Sequence, residues 1–429
     1  MNISFAPKVD HLASFPSDSI SIDLTGKIIR LFNDDCFARF TDLKNLELSS
    51  CKLLSLPISL FKINTLEYLD LSNNELTQIP LELGSMPNLK RLITDGNRLN
   101  ESQKIKITSN DESFLKSLQI ANIEPEIITR RFVPEDPSPS SLMVLSYNIL
   151  SPSFATPKIY PFSLPKYLST EIRLCQIKRQ LIEHPYSIIC LQEVQYEVYN
   201  NALHPFMEEQ GYRCEFSPKG RFYSTNEKEK SIVHGQATFI NTSKFHVKAI
   251  KSFEIRKQTV CSTLEIPRDL YDHDETALLV IVSPIENVSI NIAILNLHLY
   301  WDHRSDGVKI SQLNIALETS LRIASEYSNI SDTIITGDFN SPIGSPVLNS
   351  IPNKFVNVYQ TMNSEPSFTR YSSGTFSTID HIYSSTNFLN PQAVLSVPDQ
   401  DTIRKQYISF PARFFPSDHI PISAVFKYC

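Results

Sequence analysis

The chain has no Cys-x-x-Cys pair. Its seven cysteines, at positions 36, 51, 175, 190, 214, 261 and 429, are scattered and odd in number. That argues against a disulfide framework or a cysteine zinc site and fits a reducing compartment. The stretch from Met1 to Phe15 lacks the apolar segment of a secretory leader, and no hydrophobic run approaches the length of a membrane span. Excess positive charge is missing too. A net charge of −6 excludes a surface that binds nucleic acid all over, but not a site that grips a few phosphates through local cations or metal ions. The remaining composition, 41% hydrophobic and 20% charged over 429 residues, is that of a soluble globular protein with two domains. The expectation is an intracellular protein with no membrane segment.

A repeat fills the first third. Leu43, Leu46 and Leu48 recur as Leu66, Leu69 and Leu71, then as Leu89, Leu92 and Thr94, each step being 23 residues. Cys51, Asn74 and Asn97 share one phase, Leu53, Leu76 and Leu99 follow two residues later, and Pro57 and Pro80 close the first two units. This resembles the leucine-rich repeat, in which short strands stack and an asparagine ladder satisfies the turns. A weaker unit at Ile20, Ile22, Leu24 and Gly26 precedes it, and residues 111–118 suit a capping helix. Repeats this short present a surface to another protein. The expected organisation is a repeat domain over 1–130, a proline- and serine-rich linker over 131–141, and a second domain over 142–429.

In the second domain, apolar runs end in polar residues. Met143 to Tyr147 ends at Asn148, Ile188 to Gln192 at Glu193, and Ile290 to Leu297 at His298. Thr333 to Thr336 ends in Gly337-Asp338-Phe339-Asn340, Ile379 precedes Asp380, and Asp418-His419 precedes the closing run. Between them Leu174, Ile177 and Leu181 make one helical face, and Ile310, Leu313, Leu317, Leu321 and Ala324 another. Interleaved strands and helices predict a layered α/β domain with its polar residues at one rim. Singly, each has a plain structural reading: Asp338 and Asn340 an Asx turn, Asn148 a turn residue, Glu193 a surface charge, His298 and His419 core histidines. Together they suit one reaction. Hydrolysing a phosphodiester needs activated water, neutralised phosphoryl oxygens and help for the leaving group. Glu193, Asp338 and Asp418 offer hard oxygen ligands for one or two magnesium ions, Asp380 can orient His419, and Asn148 and Asn340 are neutral donors for a phosphate.

The ordered set Ser-Tyr-Asn, Leu-Gln-Glu-Val, Asn-Leu-His-Leu, Gly-Asp-Phe-Asn-Ser, Ile-Asp-His-Ile and Pro-Ser-Asp-His-Ile-Pro resembles the endonuclease/exonuclease/phosphatase superfamily, a four-layer α/β sandwich of magnesium-dependent phosphoesterases. With the repeats in front, Trp301-Asp302 and Val308-Lys309-x-x-Gln312, it resembles the poly(A) deadenylases among them. The resemblance implies an α/β fold: a leucine-rich repeat solenoid followed by that sandwich. It implies Glu193 as a principal metal ligand, with Asp418 and His419 beside it, and Asp338 as ligand or base for water. Asn340 would stabilise the transition state, Asp380 and His419 would form a dyad, and Asn148 and His298 would complete the site. The implied substrate is poly(A) RNA, trimmed from its 3′ end to 5′-AMP. The implied partner is a Caf-type deadenylase subunit of the Ccr–Not complex, docked on the repeats, in the cytoplasm and with the nucleus also open to it.

The sequence departs from that family where the base would stack. His303 replaces a proline, Phe376 lies four rather than five residues before Asp380, His381 replaces a tyrosine, and His234-Gly235-Gln236 stands in place of Asp-Gly-Cys. His303 can still stack on a base. Two alternatives therefore stay open: a phosphoesterase of relaxed specificity, and an inert scaffold whose repeats do the work.

Overall fold

The computed structural model describes residues 11–99, 127–134, 137–138, 141–160, 162–258, 267–327 and 330–429. The chain divides into two compact units, residues 1–126 with 404–408, and residues 127–403 with 409–429. The expected capping helix at 111–118 lies outside the described residues.

In the first unit, four three-residue strands pair in parallel: β1 (Ser21–Asp23), β2 (Asn45–Glu47), β3 (Tyr68–Asp70) and β4 (Arg91–Ile93). The 23-residue period is their register, with Leu46 opposite Leu69 and Leu69 opposite Leu92. Ile22 and these leucines point inward and are fully buried. Short 3₁₀ turns, Ile58–Lys62 and Leu81–Ser85, start after Pro57 and Pro80 and return the chain. The ladder works through amides. Asn74 accepts from the N–H groups of Cys51 and Leu53 and donates to the carbonyls of Leu48 and Leu71, at 2.8–3.0 Å. At the same phase, the Cys51 thiol donates to the Leu24 carbonyl instead.

The second unit holds two large sheets. One, seven-stranded, runs β5–β18–β19–β6–β7–β9–β8: β5 (Phe132–Val133), β6 (Leu142–Asn148), β7 (Ile188–Gln195), β8 (Tyr212–Pro218), β9 (His234–Asn241), β18 (Leu389–Leu395) and β19 (Ile422–Tyr428). The other, six-stranded, runs β10–β11–β12–β13–β17–β14: β10 (Phe245–Glu254), β11 (Thr276–Pro284), β12 (Asn291–His298), β13 (Ile330–Asp338), β14 (Val356–Asn357) and β17 (Asp380–Ser384). A hairpin of β15 (Arg370–Ser372) and β16 (Thr375–Ser377) stands apart. One correction concerns the stretch read as a linker over 131–141: Phe132 and Val133 are already a strand, pairing with Leu395 and Val394 at the sheet edge. Phe132 is buried there, an anchor that the neighbouring prolines and serines concealed.

Strand parity builds the layers. On β6, Leu142 and Val144 pack in the core between the sheets with Ile292, Ile294, Ile334 and Ile382 of the second sheet. Met143, Leu145 and Tyr147 face the other way, onto Ile177 and Leu181 of helix α1 (Thr170–Leu181). Leu295, Leu297 and Ile335 likewise face Leu313, Ala316 and Leu317 of helix α2 (Asp306–Ser325). Helix, sheet, sheet and helix make four layers around three cores.

Candidate active site

On four strands, even-numbered residues face the space between the sheets. Followed toward one rim, the same faces turn from apolar to polar: Val144, Ser146, Asn148 on β6; Ile294, Asn296, His298 on β12; Ile334, Thr336, Asp338 on β13; Ile382, Asp380 on β17. Strand register then forms a row. His298 pairs opposite Asp338 and Asp338 opposite Asp380. Asp338 is thus the last residue of a strand rather than part of the loop. Gly337 is needed beside it, since its φ is +145° and a Cβ would lie 1.9 Å from the Leu297 carbonyl oxygen.

Glu193 reaches the site by a bulge. The pairing of β7 with β9 shifts between Leu191 and Val194, and Glu193 takes φ +56°. Its carboxylate accepts from the Ser151 N–H at 3.0 Å and the Asn148 side chain at 3.2 Å. The Asn148 amide also donates to Asp338 Oδ2 at 3.0 Å, so one amide joins the two carboxylates across the sheets. His298 Nε2 and His419 Nε2 lie 3.6 and 3.7 Å from that same Asp338 oxygen. Asp380 Oδ2 is 2.8 Å from His419 Nδ1 and accepts from the Thr369 hydroxyl at 2.6 Å.

Asn340 takes φ +47°, its N–H donates to Asp338 Oδ1 at 2.8 Å, and its side-chain amide donates to the Leu299 carbonyl at 2.9 Å. The Asx turn is real, and it aims a side chain with one N–H to spare. The Val308-Lys309-x-x-Gln312 motif also gains a physical sense. Buried Lys309 donates to the Asn340 carbonyl at 3.0 Å, while Gln312 accepts from the Tyr300 N–H and donates to Glu275, both at 2.8 Å.

Burial drives the electrostatics. It raises the proton affinity of Glu193, with Asp418 adding to the effect, and that of Asp338, with Asp380 adding to it. His298 and His234 are pushed well below the usual histidine range by burial and by Lys219. His419 goes the other way: burial opposes its charge, but Asp380, Asp418 and Asp338 outweigh it and hold the imidazolium. Burial acts to raise Asp418 as well, but Arg370, its Nε 2.8 Å from Oδ2, together with His419 and Tyr160 outweighs it and holds the group below the usual carboxylate range.

A divalent cation fits this donor set. Asp338, Asp380 and His419 bring one ligand atom each within 4.8 Å of one another, and the raised affinities of Glu193 and Asp338 mark buried carboxylates short of positive charge. The two candidates for base stacking differ in setting. His303 is 85% exposed, and Phe376 stacks on Tyr371 with ring centroids 4.1 Å apart, within a cluster that includes Phe368. His381, in the tyrosine position, is buried with Nε2 2.9 Å from the Ser341 carbonyl oxygen.

Sequence reading missed three residues. Arg173, on α1, is buried and donates to the carbonyls of Ile149, Leu150 and Pro416, tying the loop after Asn148 to the loop before Asp418. Thr369 anchors Asp380, and Arg370 pairs with Asp418. None sits in a recurring motif; only an unpaired arginine on an otherwise amphipathic helix gave a signal for Arg173.

Fold and site define the class: a two-sheet α/β sandwich with a carboxylate, amide and histidine site at one rim. The chain belongs to the endonuclease/exonuclease/phosphatase family, which matches residues 145–419; a leucine-rich repeat family matches residues 22–99. Among curated relatives, the Schizosaccharomyces pombe protein named CCR4-Not complex 3′-5′-exoribonuclease subunit Ccr4 is 28% identical over 66% of this chain and 49% of its own length. The Candida albicans protein of that name is 28% identical over 74% of this chain and 44% of its own. The chain thus spans less than half the length of these relatives. The fold recurs in ANGEL2, described as a 2′,3′-cyclic phosphatase, with a TM-score of 0.57 and 21% identity over 71% of this chain and 99% of that one. It recurs also in the human Nocturnin catalytic domain, with a TM-score of 0.53 and 21% identity over 71% and 100%.

Proposed function

We propose that this chain is a magnesium-dependent 3′-to-5′ exoribonuclease that trims poly(A) to 5′-AMP. The observation that carries the reading is the row His298–Asp338–Asp380 on paired strands, closed by His419 and joined to Glu193 through Asn148. The names of curated relatives, 3′-5′-exoribonuclease subunits of the CCR4-Not complex, support an RNA substrate.

Glu193 and Asp338, with Asp418 beside them, would hold the cation, which supplies charge neutralisation at the phosphoryl oxygens. Asp338, as ligand or base, would take the proton of the attacking water. Asp380 fixes His419 through Nδ1, so that Nε2–H faces the reacting phosphate as a charged donor. The spare N–H of Asn340 adds a donor that does not neutralise the carboxylates, while Asn148, expected from the sequence to donate to the phosphate, spends both N–H groups on Glu193 and Asp338 and so positions them. Water adds to phosphorus, the bond to the 3′ oxygen of the preceding nucleotide breaks, and that oxygen takes the proton of His419 Nε2 and leaves as a hydroxyl.

The repeat unit, in this reading, docks a Caf-type deadenylase subunit within a Ccr–Not assembly, supported by the complex named for the relatives. A second reading, relaxed base specificity, is favoured by the exposure of His303 and the stacking of Phe376 on Tyr371. A scaffold role has less support, because every proposed chemical position is filled.

Digestion of a 5′-labelled RNA ending in an adenosine tail, with magnesium and with chelator, tests this. A magnesium-dependent ladder from the 3′ end that stalls at the body supports the poly(A) reading. Trimming through the body gives the relaxed reading, and no cleavage with any divalent metal sinks both.

A further inference from the structure

The cations around the site are mostly committed. Arg173 spends its guanidinium on three carbonyls, Lys309 on the Asn340 carbonyl and Asp306, and Lys219 on Glu275 at 3.0 Å. Arg370 differs. Asp418 engages its Nε, and among the described residues nothing pairs with either terminal nitrogen, while a third of the side chain stays exposed.

Its placement is set by backbone. Arg370 bridges His419 in antiparallel register, and the flanking bonds, Tyr371 N–H to the Asp418 carbonyl and Ile420 N–H to the Thr369 carbonyl, are both 2.8 Å. Residues directly opposite in such a pair put their side chains on one face, with Cβ atoms about 4.5–5.5 Å apart. Arg370 thus stands beside His419, within electrostatic reach of Asp338, its stem held by Asp418. A guanidinium pinned at Nε leaves a two-nitrogen fork, the geometry that matches two oxygens of a phosphate.

From this placement we infer that Arg370 is a phosphate-binding residue of the site, its free fork gripping a phosphodiester of the RNA strand. The inference rests on the exoribonuclease reading above. It supplies the local cation that an acidic chain needs to hold a polyanion.

The test is binding of fluorescein-labelled oligoadenylate to the full chain in chelator, so that nothing is cleaved, across a potassium chloride series. For single strands, each phosphate contact contributes about 0.7 to the slope of log affinity against log salt. Arg370→Gln is expected to lower low-salt affinity roughly tenfold and to flatten the slope by about 0.7. Asp418→Asn, which unpins the arginine but keeps its charge, retains the slope. Equal slopes for Arg370→Gln and the wild type overturn the proposal; so does an equal loss in both variants, which would make Arg370 only a support for Asp418. If Arg370→Gln does not fold, Arg370→Lys keeps the charge and loses the fork. A KM for oligoadenylate raised about threefold is then expected, and an unchanged KM overturns. Failure of the wild type to bind or trim oligoadenylate is a separate result, seen before any variant is compared, and removes the underlying reading and this inference together.

Discussion

Asp380 Oδ2 stands 2.8 Å from His419 Nδ1, while His419 Nε2 points to within 3.7 Å of Asp338 Oδ2. The imidazole therefore lies between two carboxylates, hydrogen-bonded to one and held charged beside the other. If this is the catalytic dyad, His419→Ala should lower kcat by about 10²–10⁴, and Asp380→Asn by less, with KM little changed. Single-turnover hydrolysis of labelled oligoadenylate measures both. A His419→Ala enzyme at near wild-type rate would end the assignment.

Glu193 and Asp338 are carboxylates that burial disfavours in the absence of a cation. Glu193→Gln removes one of them without changing shape. In chelator the variant should melt no lower than the wild type, yet lose hydrolysis. Magnesium should raise the melting temperature of the wild type by mass action and that of the variant far less. Thermal scans with and without the metal read this directly, and equal magnesium shifts would remove Glu193 from the ligand set.

The same carboxylates set a pH dependence for the metal-free chain. Their folded-state proton affinities are raised, so the folded state binds more protons than the unfolded one just above the ordinary carboxylate range, about pH 4. Stability from these groups is present at low pH and is lost as pH rises through their elevated values. Asp418, shifted downward, contributes the opposite trend at the acid end. His234 and His298, held neutral by burial, contribute the opposite trend over the same window, so the prediction is a difference between chains: in chelator, the melting temperature of Asp338→Asn should gain on that of the wild type as pH climbs from 5 toward neutrality. A profile unchanged in Asp338→Asn would refute it.

Asn74 in the repeat unit serves five backbone groups, and Asn97, nearer the end of the described strands, serves three. Leaving buried groups unpaired costs about 1–3 kcal/mol each. Asn74→Ala should destabilise the repeat unit by about 3 kcal/mol and Asn97→Ala by less, as measured by urea denaturation. The reverse order would show that the ladder does not bear the load ascribed to it.

Much of this was legible in the residues. The 23-residue period became strand register, and apolar runs ending at Asn148, Glu193, His298 and Asp338 became strands ending at one rim. These signals are periodic, and periodicity is what a sequence carries. Arg370 and Thr369 were not legible because their roles come from pairing with residues about fifty and about ten positions away, with no repeat to announce it. Phe132 was hidden by its neighbours. His303 and Phe376 were picked by position alone, and the chain leaves one in solvent and commits the other to Tyr371.

The even-numbered faces of β6, β12, β13 and β17 carry both the apolar core and the polar rim. Hydrophobic packing thereby acts as a reading frame for the chemistry. Deleting one residue from the middle of β13 would swing Asp338 toward the helix layer while Ile334 stayed put, and the protein would lose its site before its fold. Insertions belong between strands, and any descendant of this chain that remodels its substrate range must do so in loops.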